Sequence, residues 1–357
     1  MTAASKNLTS KTGGARRVTE PTVVAGYARS LADFAVAKGA DRGKLLAQSG
    51  LTAAEIDDLD ARVPLSRFVA MYEAAIALTG EPALALDYGK AIRIQEISIV
   101  GLICEACERT IDVGHQLNRY GRLVFDEPAG EDFVRGVSDE TGIWMVAVSN
   151  FFHASPYIAE AELARLVWNT RLMFKDDPAF RDIGFPIEVT FMHAKPAHAD
   201  AFERVFQVPV TFGAKRTAVR IDPRFLTLYQ PPFNRYVFGV LSERAEALLK
   251  SLESAQTVRG RVEALLIPIL HTEEPSMDRI AEKLGIGDRT LYRQLKAEGT
   301  TFEKLLDELR HKMALHYLDG KKVSVNETAY LVGFSEPSAF SRAFRRWTGT
   351  SPKKRAL

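Results

Sequence analysis

The feature that most constrains this chain is a pattern that occurs twice between Ser276 and Gly349. Each copy begins with a serine at a helix-capping position, continues with a small alanine, and reaches a glycine before a second amphipathic segment. That glycine is Gly285 in the first copy and Gly333 in the second. Glycine enters a left-handed turn without strain. Each copy therefore predicts two helices joined by a tight turn, a helix-turn-helix.

The second copy is the clearer of the two. Ser324 and Glu327 have the spacing of a capping box at the start of its first helix. Ser335 is predicted to cap its second helix, with Pro337 in the first turn, where a missing N–H costs nothing. Apolar side chains then recur at helical spacing and predict an inward stripe: Phe340, Phe344 and Trp347.

The second helix of each motif presents polar side chains away from its apolar stripe. An α-helix fits the major groove of B-DNA, where every base pair differs from the others and arginine can bond guanine bidentately. The alternative is a solvated face of an ordinary helical domain, which two matched copies disfavour. The predicted DNA-contacting residues are Arg289, Thr290, Tyr292, Arg293 and Lys296 in the first motif, and Ser338, Ser341, Arg342 and Arg345 in the second.

A continuous amphipathic segment, Thr301 to Leu318, separates the two motifs. As a helix it would be a rod of roughly 26 Å. One turn of B-DNA is roughly 34 Å. The spacing therefore predicts that one chain can read two consecutive major-groove segments.

The stretch from Ser276 to Arg355 closely resembles the DNA-binding domain of the AraC/XylS family of bacterial transcription regulators. The run from Gly333 to Leu357 (GFSEPSAFSRAFRRWTGTSPKKRAL) resembles the family signature most closely. It departs from the signature at Lys354-Arg355, where the family commonly has a Tyr-Arg pair. The resemblance implies an all-α domain with two helix-turn-helix motifs linked by a long helix.

The charge distribution agrees with a nucleic-acid partner. Residues 275–357 hold 16 basic and 10 acidic residues, whereas the rest of the chain holds 31 and 35. A basic end on an acidic body attracts a polyanion, and phosphate contacts make such binding salt-dependent.

The N-terminal half changes its period along the chain. Helical patterns up to Leu123 give way to strand-like segments that alternate with helices, which predicts an α+β domain. Two hairpins are predicted there. One joins 132–137 to 142–149, and the other joins 208–212 to 218–221.

This half resembles, more loosely, the N-terminal sensor domain of one branch of the AraC/XylS family. The segments Asp60 to Gly89 and Phe191 to Leu226 carry the resemblance, which covers roughly residues 22–230. It implies binding of a small effector and a role in dimerisation. The aromatic residues of this half either fill its core or line a ligand cavity. The candidate effector-binding residues are Trp144, His153, Tyr157 and Trp168.

Four regions follow from these patterns, with Pro231-Pro232 marking the main boundary. They are a disordered tail (1–21), an effector-binding and dimerisation domain (22–230), a linker helix (231–254) and a DNA-binding domain (255–357).

Cys104 and Cys107 form a CxxC inside an apolar helical pattern. A thioredoxin-like motif would instead follow a strand, and a zinc site would need two further ligands. Buried structural thiols are the favoured interpretation, with a redox switch and a metal site as alternatives. The chain contains no P-loop, GxGxxG or GxSxG motif, so no enzymatic activity, cofactor or metal is expected. An enzyme fused to a DNA-binding module is the competing class.

The sequence thus predicts a sequence-specific DNA-binding transcription regulator, an activator, controlled by a small-molecule effector in its N-terminal domain. The predicted partners are double-stranded DNA, the unknown effector, RNA polymerase and a second copy of the chain, with no membrane. The predicted location is the bacterial cytoplasm, at the nucleoid when bound. A redox-responsive regulator using Cys104 and Cys107 is the alternative.

Overall fold

A computed structural model of the chain describes residues 20–126, 132–230, 235–271, 275–319 and 323–355. The chain divides into two compact units, Met1–Glu246 and Ala247–Leu357. Residues 1–19 of the predicted tail, and the predicted boundary at Pro231-Pro232, lie outside the described residues.

The first unit combines helices with short strands, as predicted. Its helices are α1 (Ala25–Ala37), α2 (Arg42–Ser49), α3 (Ala53–Asp57), α4 (Leu65–Thr79), α5 (Leu84–Ala91), α6 (Ile99–Glu105), α7 (Thr110–Val124), α8 (Asn150–His153), α9 (Pro156–Met173), α10 (Pro178–Ile183) and α11 (Ala199–Phe206). Helix α12 (Arg235–Gln256) crosses the boundary between the units.

Two sheets occur among the described residues of this unit. In the smaller one, β1 (Thr22–Val24) pairs antiparallel with β2 (Arg62–Pro64). The larger has the order β3-β4-β7-β5-β6. Its strands are β3 (Val134–Asp139), β4 (Gly142–Ala147), β5 (Glu188–Thr190), β6 (Val210–Thr211) and β7 (Ala218–Ile221). The β3–β4 hairpin is confirmed.

The second predicted hairpin is wrong, because β5 lies between its two strands. The peptide N–H of Phe191 donates to the Thr211 carbonyl oxygen at 2.9 Å, and β6 runs parallel to β5. On its other edge β5 pairs antiparallel with β7. Both predicted strands exist, but each pairs with a segment that is distant in sequence and buried in the core.

The core of the first unit is built around α9. Ser155 begins this helix by accepting a hydrogen bond from the Tyr157 N–H at 3.3 Å, with Pro156 at the first helical position. Helix α5 packs directly on α9. A β-carbon at Gly89 would lie 2.1 Å from the carbonyl oxygen of Ala161, so this close approach requires glycine.

The second unit is helical throughout its described residues. After α12 it contains α13 (Val258–Leu266), α14 (Met277–Lys283), α15 (Asp288–Ala297), α16 (Phe302–Asp319), α17 (Val325–Leu331), α18 (Pro337–Thr348) and α19 (Pro352–Arg355). One apolar core joins α13 to α16, and another joins the end of α16 to α17 and α18. An α+β unit followed by an all-α one is the predicted fold class.

Among the described residues, no single helix has the length and apolar composition needed to cross a membrane. Helices α4 and α5 meet that requirement only as a pair, and they meet at an angle of 106°.

Candidate nucleic-acid interface and buried cavity

The first predicted motif consists of α14 and α15. Gly285 joins them with φ of 66°, in the left-handed region that favours glycine. Ser276 occupies the N-cap position of α14 as predicted, but its side chain makes no capping hydrogen bond. Fully buried apolar side chains hold the pair together: Ile280, Ala281, Leu291 and Leu295.

The second motif consists of α17 and α18, joined at Gly333 with φ of 81°. The Ser324 hydroxyl accepts a hydrogen bond from the Glu327 N–H at 3.2 Å, as predicted. The predicted cap of α18 at Ser335 is wrong, because the N-cap is Glu336 and its side chain makes no capping bond. Pro337 causes this shift, since a residue before proline adopts extended backbone and so ends the non-helical segment.

The nine predicted DNA-contacting residues all lie on α15 and α18, outside the two buried stripes. Thr290 and Ser341 are half-buried, and the other seven are exposed. The Tyr292 hydroxyl accepts a hydrogen bond from Lys296 Nζ at 3.2 Å, and Ser338 donates to Glu336 at 3.2 Å. The structure therefore brings the predicted residues of each motif together on one helix, at its surface.

Four arginines of these two faces are available to a ligand. Within the described part of the chain they form no hydrogen bond or ion pair: Arg289, Arg293, Arg342 and Arg345. Arg346 differs, because its Nη2 lies 2.7 Å from Oδ1 and 2.9 Å from Oδ2 of Asp307. A free guanidinium can form the planar two-bond contact that guanine or phosphate accepts.

Helix α16 forms hydrogen bonds with the second motif. Its 18 residues span about 27 Å. Arg310 on this helix donates from Nε to the Val332 carbonyl oxygen at 3.1 Å and from Nη2 to the Gly333 carbonyl oxygen at 3.0 Å. Trp347 of α18 donates to Asp307 at 2.8 Å. These polar contacts hold the turn of the second motif against the connecting helix.

The first unit contains a cavity of about 160 Å³ with mainly apolar walls. Side chains from α6, α7, β4 and α9 line it, among them Val100, Leu117, Met145 and Leu163. Charged and amide side chains also reach the wall: Arg93, Gln95, Glu105, Glu162, Arg165, Asn169 and Gln230. The space therefore combines an apolar surface with a small number of polar groups, as ligand pockets do.

Arg165 is the most unusual residue of this wall, because it is charged and only 1% exposed. Its Nη1 pairs with Glu162 on the same helix. The rings of Tyr88 and Tyr27 lie 4.9 and 5.4 Å from the guanidinium carbon. Burial alone lowers the pKa of Arg165, but Glu162 and the surrounding tyrosines raise it above its ordinary value. The guanidinium therefore stays charged inside the protein.

Comparison with known proteins places both units. Residues 39–229 match the model of the N-terminal arabinose-binding domain of AraC transcription regulators, which is more than half of the chain. Residues 280–355 match a helix-turn-helix domain. The chain belongs to the AraC family of transcription regulators.

Relatives of this AraC-family regulator include the ornithine utilization regulator of Pseudomonas aeruginosa, which is 28% identical over 331 residues, or 91% of this chain and 94% of that protein. The transcriptional activator RhaS of Escherichia coli is 40% identical over 82 residues, 23% of this chain and 30% of that protein. Among solved structures, the regulator CdpR from Pseudomonas aeruginosa is 22% identical over 93% of this chain and 98% of that one, with a TM-score of 0.36. The two family matches show that the regulator is a DNA-binding protein with an arabinose-binding-like N-terminal domain.

The four residues predicted to bind an effector do not meet at the cavity, and none is among the described residues that line it. Trp144 packs beneath Arg216, whose guanidinium carbon lies 4.2 Å from its ring. Tyr157 stacks on Tyr72, and Trp168 donates to the Val205 carbonyl oxygen at 2.9 Å. His153 is exposed at the end of α8.

Sequence reasoning missed Arg165, although a signal was present. Glu162 and Arg165 stand three residues apart, and the other residues from Ala161 to Trp168 of α9 are apolar. A charged pair at that spacing inside a buried helix indicates a polar group held in the interior.

Both cysteines are free and buried. Burial raises the pKa of Cys104 well above the ordinary thiol value and raises that of Cys107 to about 12. Cys107 Sγ donates to the Ile103 carbonyl oxygen at 3.3 Å. Because the thiolate is the reactive form, this environment favours inert thiols and disfavours the redox alternative.

Proposed function

We propose that this AraC-family regulator binds a small effector in the cavity of its first unit and responds by changing transcription at a specific DNA site. The regions proposed for these tasks are an effector-binding and dimerisation domain at 22–230, a linker helix at 231–254 and a DNA-binding domain at 255–357.

The proposed DNA contacts are the nine residues of α15 and α18. The observation that supports them is the contrast between arginines on the second motif. Arg342 and Arg345 are exposed and unpaired among the described residues, whereas the neighbouring Arg346 is bound to Asp307. A side chain without an internal partner can bond a base edge or phosphate without first breaking a contact.

The single observation that carries the proposed effector site is Arg165. A charge buried to 1% exposure in the wall of a cavity costs free energy unless its hydrogen-bonding groups are satisfied. Such a residue is more readily explained by a ligand than by packing, because an apolar side chain of similar volume would fill a core at lower cost.

The proposed outcome is activation by a homodimer that contacts RNA polymerase in the cytoplasm. The relative RhaS, matched over the DNA-binding end, is named as a transcriptional activator. The ornithine utilization regulator, matched over nearly the whole chain, is named for control of a metabolic function. For this chain, a ligand-controlled activator is the corresponding proposal.

The test has two parts. The purified full chain is titrated with a genomic library of short duplexes to select the preferred site. A promoter carrying that site then drives a reporter with wild-type protein or with the Arg293→Ala/Arg342→Ala double variant. The proposal predicts reporter output above the protein-free level for wild type, and loss of that increase for the variant. Output that wild-type protein lowers would show repression, and selection of no site would contradict sequence-specific reading.

A further inference from the structure

The guanidinium of Arg165, which we call the fork because two of its N–H groups point along one edge, lies in the mainly apolar wall of the cavity of the first unit. Nε and Nη2 of Arg165 are buried, and neither has a hydrogen-bond partner of standard geometry among the described residues. Its remaining terminal nitrogen, Nη1, is occupied by Glu162. The Tyr88 side chain also interacts with this guanidinium, through a hydrogen bond of poorer geometry. Two donors on one edge of the guanidinium therefore lack a well-formed hydrogen bond, which a group entering the cavity could supply.

We propose that the effector is a small carboxylate with an apolar body, and that Arg165 binds its carboxylate. This inference rests on the proposed function, since it names the chemical class taken by the proposed effector site. Nε and Nη2 of a guanidinium lie side by side, and together they match the two oxygens of a carboxylate. A single hydroxyl or carbonyl oxygen would satisfy only one of them.

The position of Arg165 makes this contact strong. Burying a donor without an acceptor costs the free energy of its hydration, and this cost is larger for a charged donor than for a neutral one. A carboxylate restores both bonds in an environment where water does not compete. Tyr27 and Tyr88 cover the guanidinium with their rings, so the bound group would be held within a rigid frame.

The rest of the cavity wall indicates the polarity and the size of the part of the ligand that lies beyond its carboxylate. The space is lined mainly by aliphatic and aromatic carbon, including Val100, Leu117, Met145 and Leu163. Its volume of about 160 Å³ limits the ligand to a small molecule. The second basic residue of the wall, Arg93, is already paired with Glu105 at 2.8 Å and is partly exposed. Arg165 is therefore the stronger carboxylate site.

The probes are straight-chain monocarboxylates of about four to ten carbons, each matched with the primary alcohol and the primary amide of the same length. Binding to the full chain is measured by titration calorimetry and by the shift in unfolding temperature. We expect at least one carboxylate to bind at least tenfold more tightly than its alcohol and its amide. Equal binding of the carboxylate and the alcohol would overturn the inference.

Three variants locate the binding site. Arg165→Lys keeps a positive charge but lacks the fork, and we expect at least a tenfold loss of carboxylate affinity. Arg165→Met alone would leave Glu162 unpaired and could fail to fold. The double variant Glu162→Gln/Arg165→Met is therefore measured in its place, and it should lose the preference for carboxylate over alcohol. Arg67→Met is the control, because Arg67 is exposed, pairs with Glu55 at 3.0 Å and does not line the cavity; it should change the affinity less than threefold. Unchanged carboxylate binding by the double variant would overturn the assignment.

The outcomes separate this inference from the proposed function. If the alcohols or amides bind in the cavity and alter DNA binding, the effector site stands and the carboxylate assignment fails. If none of the carboxylates, alcohols or amides binds in the cavity and alters DNA binding, both proposals fail.

Discussion

The carbonyl oxygen of Leu270 lies 2.4 Å from the point that a β-carbon at Gly333 would occupy. Leu270 belongs to the core of the first helix-turn-helix, and Gly333 forms the turn of the second. The backbone just before the first motif, which shares that motif's core, therefore contacts the turn of the second. Arg310 of the connecting helix adds hydrogen bonds to the same turn. This junction is what supports treating the two motifs as parts of one reading surface.

Gly333→Ala should destabilise the second unit far more than Gly285→Ala. Both glycines have positive φ, and an alanine in that region costs about 1–2 kcal/mol. Only at Gly333 does the new methyl meet a neighbour, so the total cost there should be about 2–5 kcal/mol. Denaturant unfolding measures both losses, with Trp144 and Trp168 replaced by Phe so that the fluorescence comes from Trp347 alone. Equal losses would show that the backbone contact with Leu270 is not tight.

Arg342→Ala should weaken binding to the preferred DNA site by about 1–3 kcal/mol and relax specificity at one base position. Arg346→Ala is the matched control four residues along the same helix. Its guanidinium is engaged by Asp307, so the affinity of Arg346→Ala for the preferred DNA site should stay close to that of wild type. Loss of the exposed ion pair should change the free energy of unfolding by no more than about 1 kcal/mol. Fluorescence anisotropy on cognate and scrambled duplexes measures both variants. An equal loss on both duplexes would identify Arg342 as a phosphate contact.

Glu160→Gln should flatten the dependence of stability on pH. Burial raises the pKa of Glu160 to about 8, so the folded state keeps a proton that the unfolded chain releases above about pH 4.5. This group therefore stabilises the fold below pH 4.5, and its contribution is lost as pH rises towards 8. Gln resembles the protonated form and removes this decline.

The neighbours of Glu160 act in the opposite sense. His193 and His198 lie 3.8 and 3.7 Å from its carboxylate, and burial lowers the pKa of both rings. They reduce stability as pH falls below about 6.5. Denaturation midpoints at pH 5, 6, 7 and 8 measure the profile, with the exposed Glu73→Gln as control. A variant whose midpoint still falls between pH 5 and 8 as steeply as wild type would contradict the account.

Cys104 and Cys107 should resist alkylation in the folded protein. Burial raises the pKa of both thiols, so at pH 8 almost none of either is thiolate. Mass spectrometry after iodoacetamide treatment should find both unmodified in native protein and both modified in denaturant. Rapid labelling of the native chain, accompanied by loss of DNA binding, would support the redox alternative instead.

The helix-turn-helix pair could be predicted from sequence because its signals are local. Gly285, Gly333 and Gly349 have positive φ, a local backbone conformation that favours glycine and can be predicted from neighbouring residues. The apolar stripes follow from helical spacing alone. The predicted cap of α18 lies one residue too early, because the conformational effect of Pro337 on Glu336 outweighs the capping tendency of Ser335.

The sheet and the cavity depend on contacts between distant segments, and local patterns do not encode these. Nothing within 208–221 indicates that β5 will insert between its two strands. The aromatic residues predicted as effector contacts are large and amphipathic, but Trp144 and Trp168 satisfy their N–H groups within the fold. Arg165 gave a weaker sequence signal, and only the assembled unit shows that its fork is unsatisfied.

The most direct test of the central claim is the affinity of the full chain for its preferred site with about five base pairs inserted between the two recognised segments. Five base pairs rotate one segment by about half a turn of the duplex. Two motifs held rigidly by α16 cannot follow that rotation, so the account predicts at least a hundredfold loss of affinity. An insertion of about ten base pairs should weaken binding as well, because it moves the two segments further apart. Unchanged affinity after the five-base-pair insertion would show that α15 and α18 do not read the two segments as one rigid surface.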